Sequence, residues 1–207
     1  MNDLGRRIPT AIAYGAVVIT ALFAPPVVFW ALLAALFLLA LRELLWLVSR
    51  DRWAAELVLG TAYLAAGLAA LAYLRLLGPQ WVLVALIPTW AADVASYVVG
   101  SRYGRRPLVP RLSPSKTREG TAAGFVAAAA AAVTSGALLG LPPAATMLVA
   151  LLAGPAALAG DLLESAAKRA AGVKDSGTLL PGHGGILDRV DSLLLVAPVV
   201  AVASRLP

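Results

Sequence analysis

Cysteine is absent from the 207 residues, which excludes a disulfide framework and a thiolate metal site. Charge is scarce as well: 14% of the residues are charged, against 60% hydrophobic. A soluble domain of this size needs far more polar surface. The chain has one histidine, His183, and three lysines, Lys116, Lys168 and Lys174, and otherwise relies on arginine. The net charge of +6 raises nucleic acid as a partner. The basic residues, however, sit between apolar stretches, where positive loops beside anionic headgroups account for them. Membrane lipids are the expected surroundings, and no nucleic acid is expected.

Apolar sequence is abundant, in blocks long enough to cross a hydrocarbon layer of about 30 Å, which takes roughly 20 helical residues. The pattern predicts an all-α fold, a polytopic transmembrane helical bundle of about seven spans near 8–24, 27–48, 54–77, 81–100, 120–140, 144–164 and 186–205. We treat 1–207 as a single integral membrane domain, with N-terminal spans in 1–80 and the polar motifs, hence any catalytic site, in 81–207. Further spans follow the apolar stretch after Arg6-Arg7, so a secretory signal is not the expected reading there. Pro25-Pro26, Gly78-Pro79 and Pro142-Pro143 mark turns on one side that carry almost no charge. Opposite connections hold Arg50 and Arg52; Arg102, Arg105, Arg106, Arg111, Lys116 and Arg118; and Lys168, Arg169 and Lys174. The positive-inside rule makes these loops and the N-terminus cytoplasmic and the C-terminus external. Arg75 and Arg205 are the basic residues left outside.

Acids in or beside membrane spans are expensive and need a reason. At about 1.5 Å per residue, Glu43, Asp93, Asp161, Glu164, Asp188 and Asp191 all fall in the cytoplasmic third. Four spans thus deliver carboxylates to one layer beside basic loops, as a metal meeting a polyanion requires. Oxygen ligands without thiols favour Mg²⁺ over zinc. Taken singly, Glu43 or Glu164 reads equally well as a helix cap or a structural ion pair. Asp188 is also a natural residue for a helix start.

Two polar stretches carry the sharper signals. The first, SRYGRRPLVPRLSPSKTREG over 101–120, holds six basic residues and three prolines. Prolines restrict the backbone, so this loop can be ordered, and clustered cations with hydroxyls bind phosphate. A lipid anchor explains Arg102, Arg105 and Arg106 equally well, but explains Ser113, Ser115, Lys116 and Thr117 less well. The second stretch runs from Gly160 to Ser192. Asp161, Glu164 or Ser165, and Lys168 share a helix face by their spacing. The segment closes with Pro-Gly-His-Gly-Gly, where glycines allow close backbone approach. A helix then begins with Asp188, Arg189 and Asp191 in its first turns, and its N–H groups favour an anion that a metal on Asp161 and Asp188 could bridge. All three lysines and His183 fall in these two stretches, as expected where a compact point charge is wanted instead of a guanidinium fork.

Gly160-Asp161-Leu-Leu-Glu164-Ser165, Lys168-Arg169, Lys174-Asp175-Ser176 and Pro181-Gly-His183-Gly-Gly-Ile-Leu-Asp188-Arg189-Val-Asp191-Ser192 resemble the phosphatidate cytidylyltransferase (CDP-diacylglycerol synthase) family. Asp93, Tyr97, Gly100, Gly104 and the Ser113-Pro-Ser115-Lys116-Thr117-Arg118-Glu119-Gly120 run look like further family motifs. The resemblance covers the chain closely from about Ala92 onward; before that it lies mainly in hydropathy and in Arg42-Glu43. The family usually has tryptophan where Arg118 stands, so no stacking role carries over there. The chain is also shorter than typical bacterial members, with early spans that look reduced.

The resemblance implies transfer of CMP from CTP to phosphatidate, giving CDP-diacylglycerol and pyrophosphate for phospholipid synthesis. It implies a multi-pass protein of the bacterial inner membrane with its site facing the cytoplasm, and a homodimer. It puts Mg²⁺ on Asp161 and Asp188, with neighbouring acids available to a second cation. Lys168, Lys174, His183 and Arg189 join these as catalytic residues. Ser113, Ser115, Lys116, Thr117, Arg169 and Asp93 are the substrate-binding set, without division between nucleotide and lipid. Two other readings stand beside it. One is a cytidylyltransferase or kinase acting on an isoprenoid lipid, although the KTxEG and GDLxES runs look more like the diacyl branch. The other is a lipid transporter, which predicts a midplane site and internal repeats; the polar residues cluster on one side instead.

Overall fold

A computed structural model describes residues 4–48, 53–177, 179 and 184–207, with side-chain surroundings from residue 13 onward except at Trp53. Arg50, Arg52 and His183 lie outside the described residues. Seven helices follow in chain order: α1 (Leu4–Phe23), α2 (Pro26–Leu47), α3 (Trp53–Leu77), α4 (Pro79–Tyr103), α5 (Arg118–Leu138), α6 (Pro143–Ala170) and α7 (Leu187–Ala203). Five of them, α2 to α6, are long and apolar enough to cross a membrane. The protein is therefore a multi-pass helical membrane protein. α1 adds an apolar stretch over Ala13–Phe23, and α7 has 17 residues.

Each uncharged turn places a proline at the start of the following helix: Pro26, Pro79 and Pro143. There the missing N–H has no helical partner to lose and the fixed φ already suits the helix. The expected spans hold within a few residues, with local differences that matter for the site. α4 continues to Tyr103 and α6 to Ala170, so Arg102, Lys168 and Arg169 belong to helix ends and not to loops. Within the expected loop, β1 (Pro107–Val109) and β2 (Ser113–Thr117) form an antiparallel hairpin pairing Pro107 with Thr117 and Val109 with Ser113. Its turn closes with Leu112 N–H donating to Val109 O over 3.1 Å.

Lipid gives helices little hydrophobic reason to associate, so close backbone packing matters more than in water. α5 buries Gly120, Gly124, Ala128, Ala132 and Gly136, one small residue every fourth position. A Cβ on Gly120 would stand 2.7 Å from Ser96 O and 2.9 Å from Gly100 Cα, so α4 and α5 touch backbone to backbone. α7 is the central helix: it packs against α2, α3, α4 and α6 and buries Val190, Leu193, Leu194, Val196, Ala197 and Val200. It meets α6 where Gly160 faces Asp191 and Ser192, a Cβ there falling 3.0 Å from Ser192 Cα. Opposite the polar end, Arg75 donates to Ala24 O over 3.0 Å and Arg205 lies 5.1 Å above the Tyr73 ring.

Candidate active site

Alternation of helix direction brings the C-terminal ends of α2, α4 and α6 and the N-terminal ends of α5 and α7 to one end of the bundle. α4, α5, α6 and α7 enclose a cavity of about 620 Å³, with the hairpin as one wall. Among the described residues, five cationic and six carboxylate side chains line it. All the sequence-predicted site residues except His183, which lies outside the described residues, line the cavity: Asp93, Ser113, Ser115, Lys116, Thr117, Asp161, Lys168, Arg169, Lys174, Asp188 and Arg189. Two motifs some 40 residues apart in the chain thus share one chamber. Further in, Phe125, Gly154, Ala157 and Leu158 give the same cavity an apolar limb.

Lys116, on β2, forms an ion pair with Asp161 of α6, joining the hairpin to the helix across the cavity. Asp161 also accepts from Ser165 Oγ at 3.3 Å, one helical turn on. Its side chain keeps 27% of its surface open. Lys168 is gripped more tightly. Its Nζ donates to Glu164 Oε2 at 2.6 Å and to Asp188 Oδ1 at 2.5 Å, with 12% of the side chain exposed. The other oxygen of Asp188 accepts from Ser176 N (2.9 Å), Ser176 Oγ (2.9 Å) and Gly185 N (2.8 Å). Asp188 is therefore an organiser of the segment before α7 as well as a cavity wall. Lys174 and Arg189 are exposed and carry no ion pair among the described residues.

Local backbone chemistry explains how these side chains are placed. Thr117 caps α5, its Oγ1 accepting from Gly120 N at 3.1 Å, so this hydroxyl is committed to the helix start. Glu119 accepts from Arg105 N (3.1 Å) and Arg106 N (3.3 Å) and fixes the turn into the hairpin. α6 ends in a Schellman arrangement: Gly172, at φ +72°, donates to Arg169 O, and Val173 N–H donates to Lys168 O. Only glycine adopts that φ without strain. Arg169 reaches from there to Leu112 O (3.2 Å) and Val173 O (2.7 Å), tying the α6 end to the hairpin turn.

One expectation is corrected. The first two amides at the start of α7 are not open to an anion from outside, because Ile186 N and Leu187 N both donate to Glu43, each over 2.9 Å. Glu43 therefore acts structurally. Glu164, on α6, is different: Oε1 is buried and has no hydrogen-bond partner among the described residues, an arrangement that burial normally penalises. Sequence reasoning weighed Glu164 without choosing it. Ser165, Ser192 and Tyr97 also line the cavity and were not singled out as ligands; the i+4 spacing of Ser165 from Asp161 was the available signal.

The fold and cavity define a class: a helical membrane protein with a mixed cation and carboxylate chamber at one end. The sequence profile of the Cytidylyltransferase family matches residues 54–206, and the chain belongs to that family. It is 45% identical over 123 residues to "Phosphatidate cytidylyltransferase" of Bacillus subtilis, covering 58% of this chain and 46% of that one. A Staphylococcus saprophyticus protein of the same name is 35% identical over 151 residues, 72% of this chain and 58% of its own. "Uncharacterized protein YnbB" of Escherichia coli is 47% identical over 123 residues, 59% and 41% of the two chains. The matched stretches thus span from 41% to 58% of these relatives' lengths.

Proposed function

We propose that the chain transfers CMP from CTP to phosphatidate, forming CDP-diacylglycerol and pyrophosphate. One observation carries the reading: the hairpin motif and the α6–α7 motif line one cavity and are joined by the Lys116–Asp161 pair. The names of the Bacillus and Staphylococcus relatives support the substrates. The cavity's apolar limb suits acyl chains and its polar end suits phosphates.

In this reaction an oxygen of the lipid phosphomonoester attacks the α-phosphorus of CTP, and the bond to the bridging oxygen of pyrophosphate breaks. The lipid phosphate is already ionised near neutral pH, so no strong base is demanded. The barrier lies in bringing two polyanions together. Lys174 and Arg189, without partners among the described residues, are the cations ready to take phosphate. Lys116 and Lys168 become available only as their carboxylates find another positive charge. Ser113 and Ser115 supply hydroxyl donors from the hairpin.

The residues fit Mg²⁺. Among the described residues, carboxylates outnumber cations six to five around the cavity, a balance that a bound cation would offset where a triphosphate enters. Asp161 is the accessible oxygen donor, Asp188 lines the same cavity from the neighbouring helix, and Glu164 Oε1 lacks a partner among the described residues. Among the described residues no three acids or histidines group tightly enough to enclose an ion. Mg²⁺ is typically held by one or two carboxylates together with substrate phosphates. When bound, it would neutralise charge on the phosphates and on the leaving pyrophosphate; the neighbouring acids leave room for a second cation. We place the site at the cytoplasmic face of a bacterial inner membrane, because the charge asymmetry puts the basic end inside. The family resemblance adds a homodimer to this proposal.

The test is conversion of radiolabelled CTP by purified protein with phosphatidate, an isoprenoid phosphate or no lipid. CDP-diacylglycerol should form with phosphatidate and Mg²⁺. Asp161→Asn should lower the rate by about a hundredfold or more. Absence of any CDP-lipid from phosphatidate overturns the proposal.

A further inference from the structure

Glu43 lies on α2, outside the stretch matched by the family profile. It is buried, with 9% of its surface exposed, and no lysine or arginine pairs with it among the described residues. Its donors are neutral instead. Oε1 accepts from Ile186 N at 2.9 Å, while Oε2 accepts from Leu187 N at 2.9 Å and from Ser176 Oγ at 3.0 Å. Two of those donors are the orphan amides at the start of α7, where the helix carries about half a positive charge. The surroundings are shaped for this carboxylate: a Cβ on Gly177 would stand 2.7 Å from its Oε1, and one on Gly185 2.6 Å from its Cδ.

Ser176 links this group to the cavity. The same hydroxyl lies 2.9 Å from Asp188 Oδ2, and Ser176 N donates to that oxygen as well. A serine has one hydroxyl proton, so Glu43 and Asp188 share it. The two acids hold the same short segment from opposite sides, one from outside the cavity and one from its wall. Asp188 in turn holds Lys168.

We infer that Glu43 is a positioning residue for the proposed transfer: it caps α7 from α2 and thereby sets Asp188 and Lys168 in the cavity. It also fills the α7 amides, so that a substrate phosphate is directed to Lys174, Arg189 and the hairpin instead of to the helix end. The kinetic half of this inference rests on the cytidylyltransferase reading; the structural half does not.

The experiment uses the full chain with Glu43→Gln, Glu43→Asp and Ser176→Ala. Glu43→Gln keeps the size but turns an NH₂ toward groups that already donate. Its amides at Ile186 and Leu187 should exchange with deuterium about tenfold faster or more, while Val196 and Ala197 in the α7 interior stay as in the parent. Its kcat should fall by about 10- to 100-fold, with KM for CTP within about threefold of the parent. Glu43→Asp, which keeps the charge, should recover part of kcat. Ser176→Ala should lose less than Glu43→Gln, because both helix amides keep their acceptor. Parent-like exchange at Ile186 and Leu187 in Glu43→Gln would overturn the inference. So would faster exchange spread evenly over α7, or a loss confined to KM. If the parent makes no CDP-lipid, the functional proposal falls, while exchange at these amides still decides what Glu43 holds.

Discussion

Lys168 is held between Glu164 and Asp188, and removing its charge leaves two buried carboxylates facing each other. Breaking a buried pair by deleting one partner costs about 3–5 kcal/mol. Lys168→Met should therefore lower the thermal midpoint in detergent far more than Lys116→Met, whose partner Asp161 remains partly open. Equal midpoints for the two variants would show that Lys168 is not the clamp described. At this scale the sequence was most informative about residue types and least about their partners. The i, i+4 pairs Asp161–Ser165 and Glu164–Lys168 follow from helical spacing alone, and the distances bear them out. That Glu43 bonds to Ile186 and Leu187, more than 140 residues away, has no local signature, because a tertiary cap is made by the approach of two helices.

Among the elements, α5 shows how small residues shape the site. Its buried stripe from Gly120 to Gly136 lets α4 come close enough for Asp93 and Asp161 to share a cavity. Gly124→Leu would press against Ala92 O, which a Cβ already approaches to 3.0 Å. We expect a loss of about 1–3 kcal/mol from overpacking, read as a lower thermal midpoint, with Ala123→Leu on a less buried face nearly neutral. The helices were legible because each is bounded by proline or by charge and is apolar along most of its length. The hairpin was not: a run of prolines, serines and arginines has no alternating apolar pattern. Its strands are fixed by their ends, where Glu119 and Arg169 bind the turns.

For the whole molecule, the lack of cysteine makes orientation directly measurable. Arg111→Cys at the hairpin turn and Gln80→Cys at the opposite end need no prior removal of native thiols. A membrane-impermeant thiol reagent added to intact cells should label Gln80→Cys and spare Arg111→Cys; the reverse pattern would invert the orientation proposed above. The antiparallel register of α6 and α7 bears on how the proposed transfer would meet its lipid. From the contact at Gly160, α6 continues ten residues to Ala170, whereas α7 starts only four residues before Asp191. At 1.5 Å per residue the outer helix overhangs the central one by about 9 Å, so the cavity is sunk below the rim of the bundle. A phospholipid moving sideways in its leaflet would find aqueous chemistry at its own depth. The proposed transfer would then need no lifting of the lipid, and its product would remain in the bilayer that supplied it.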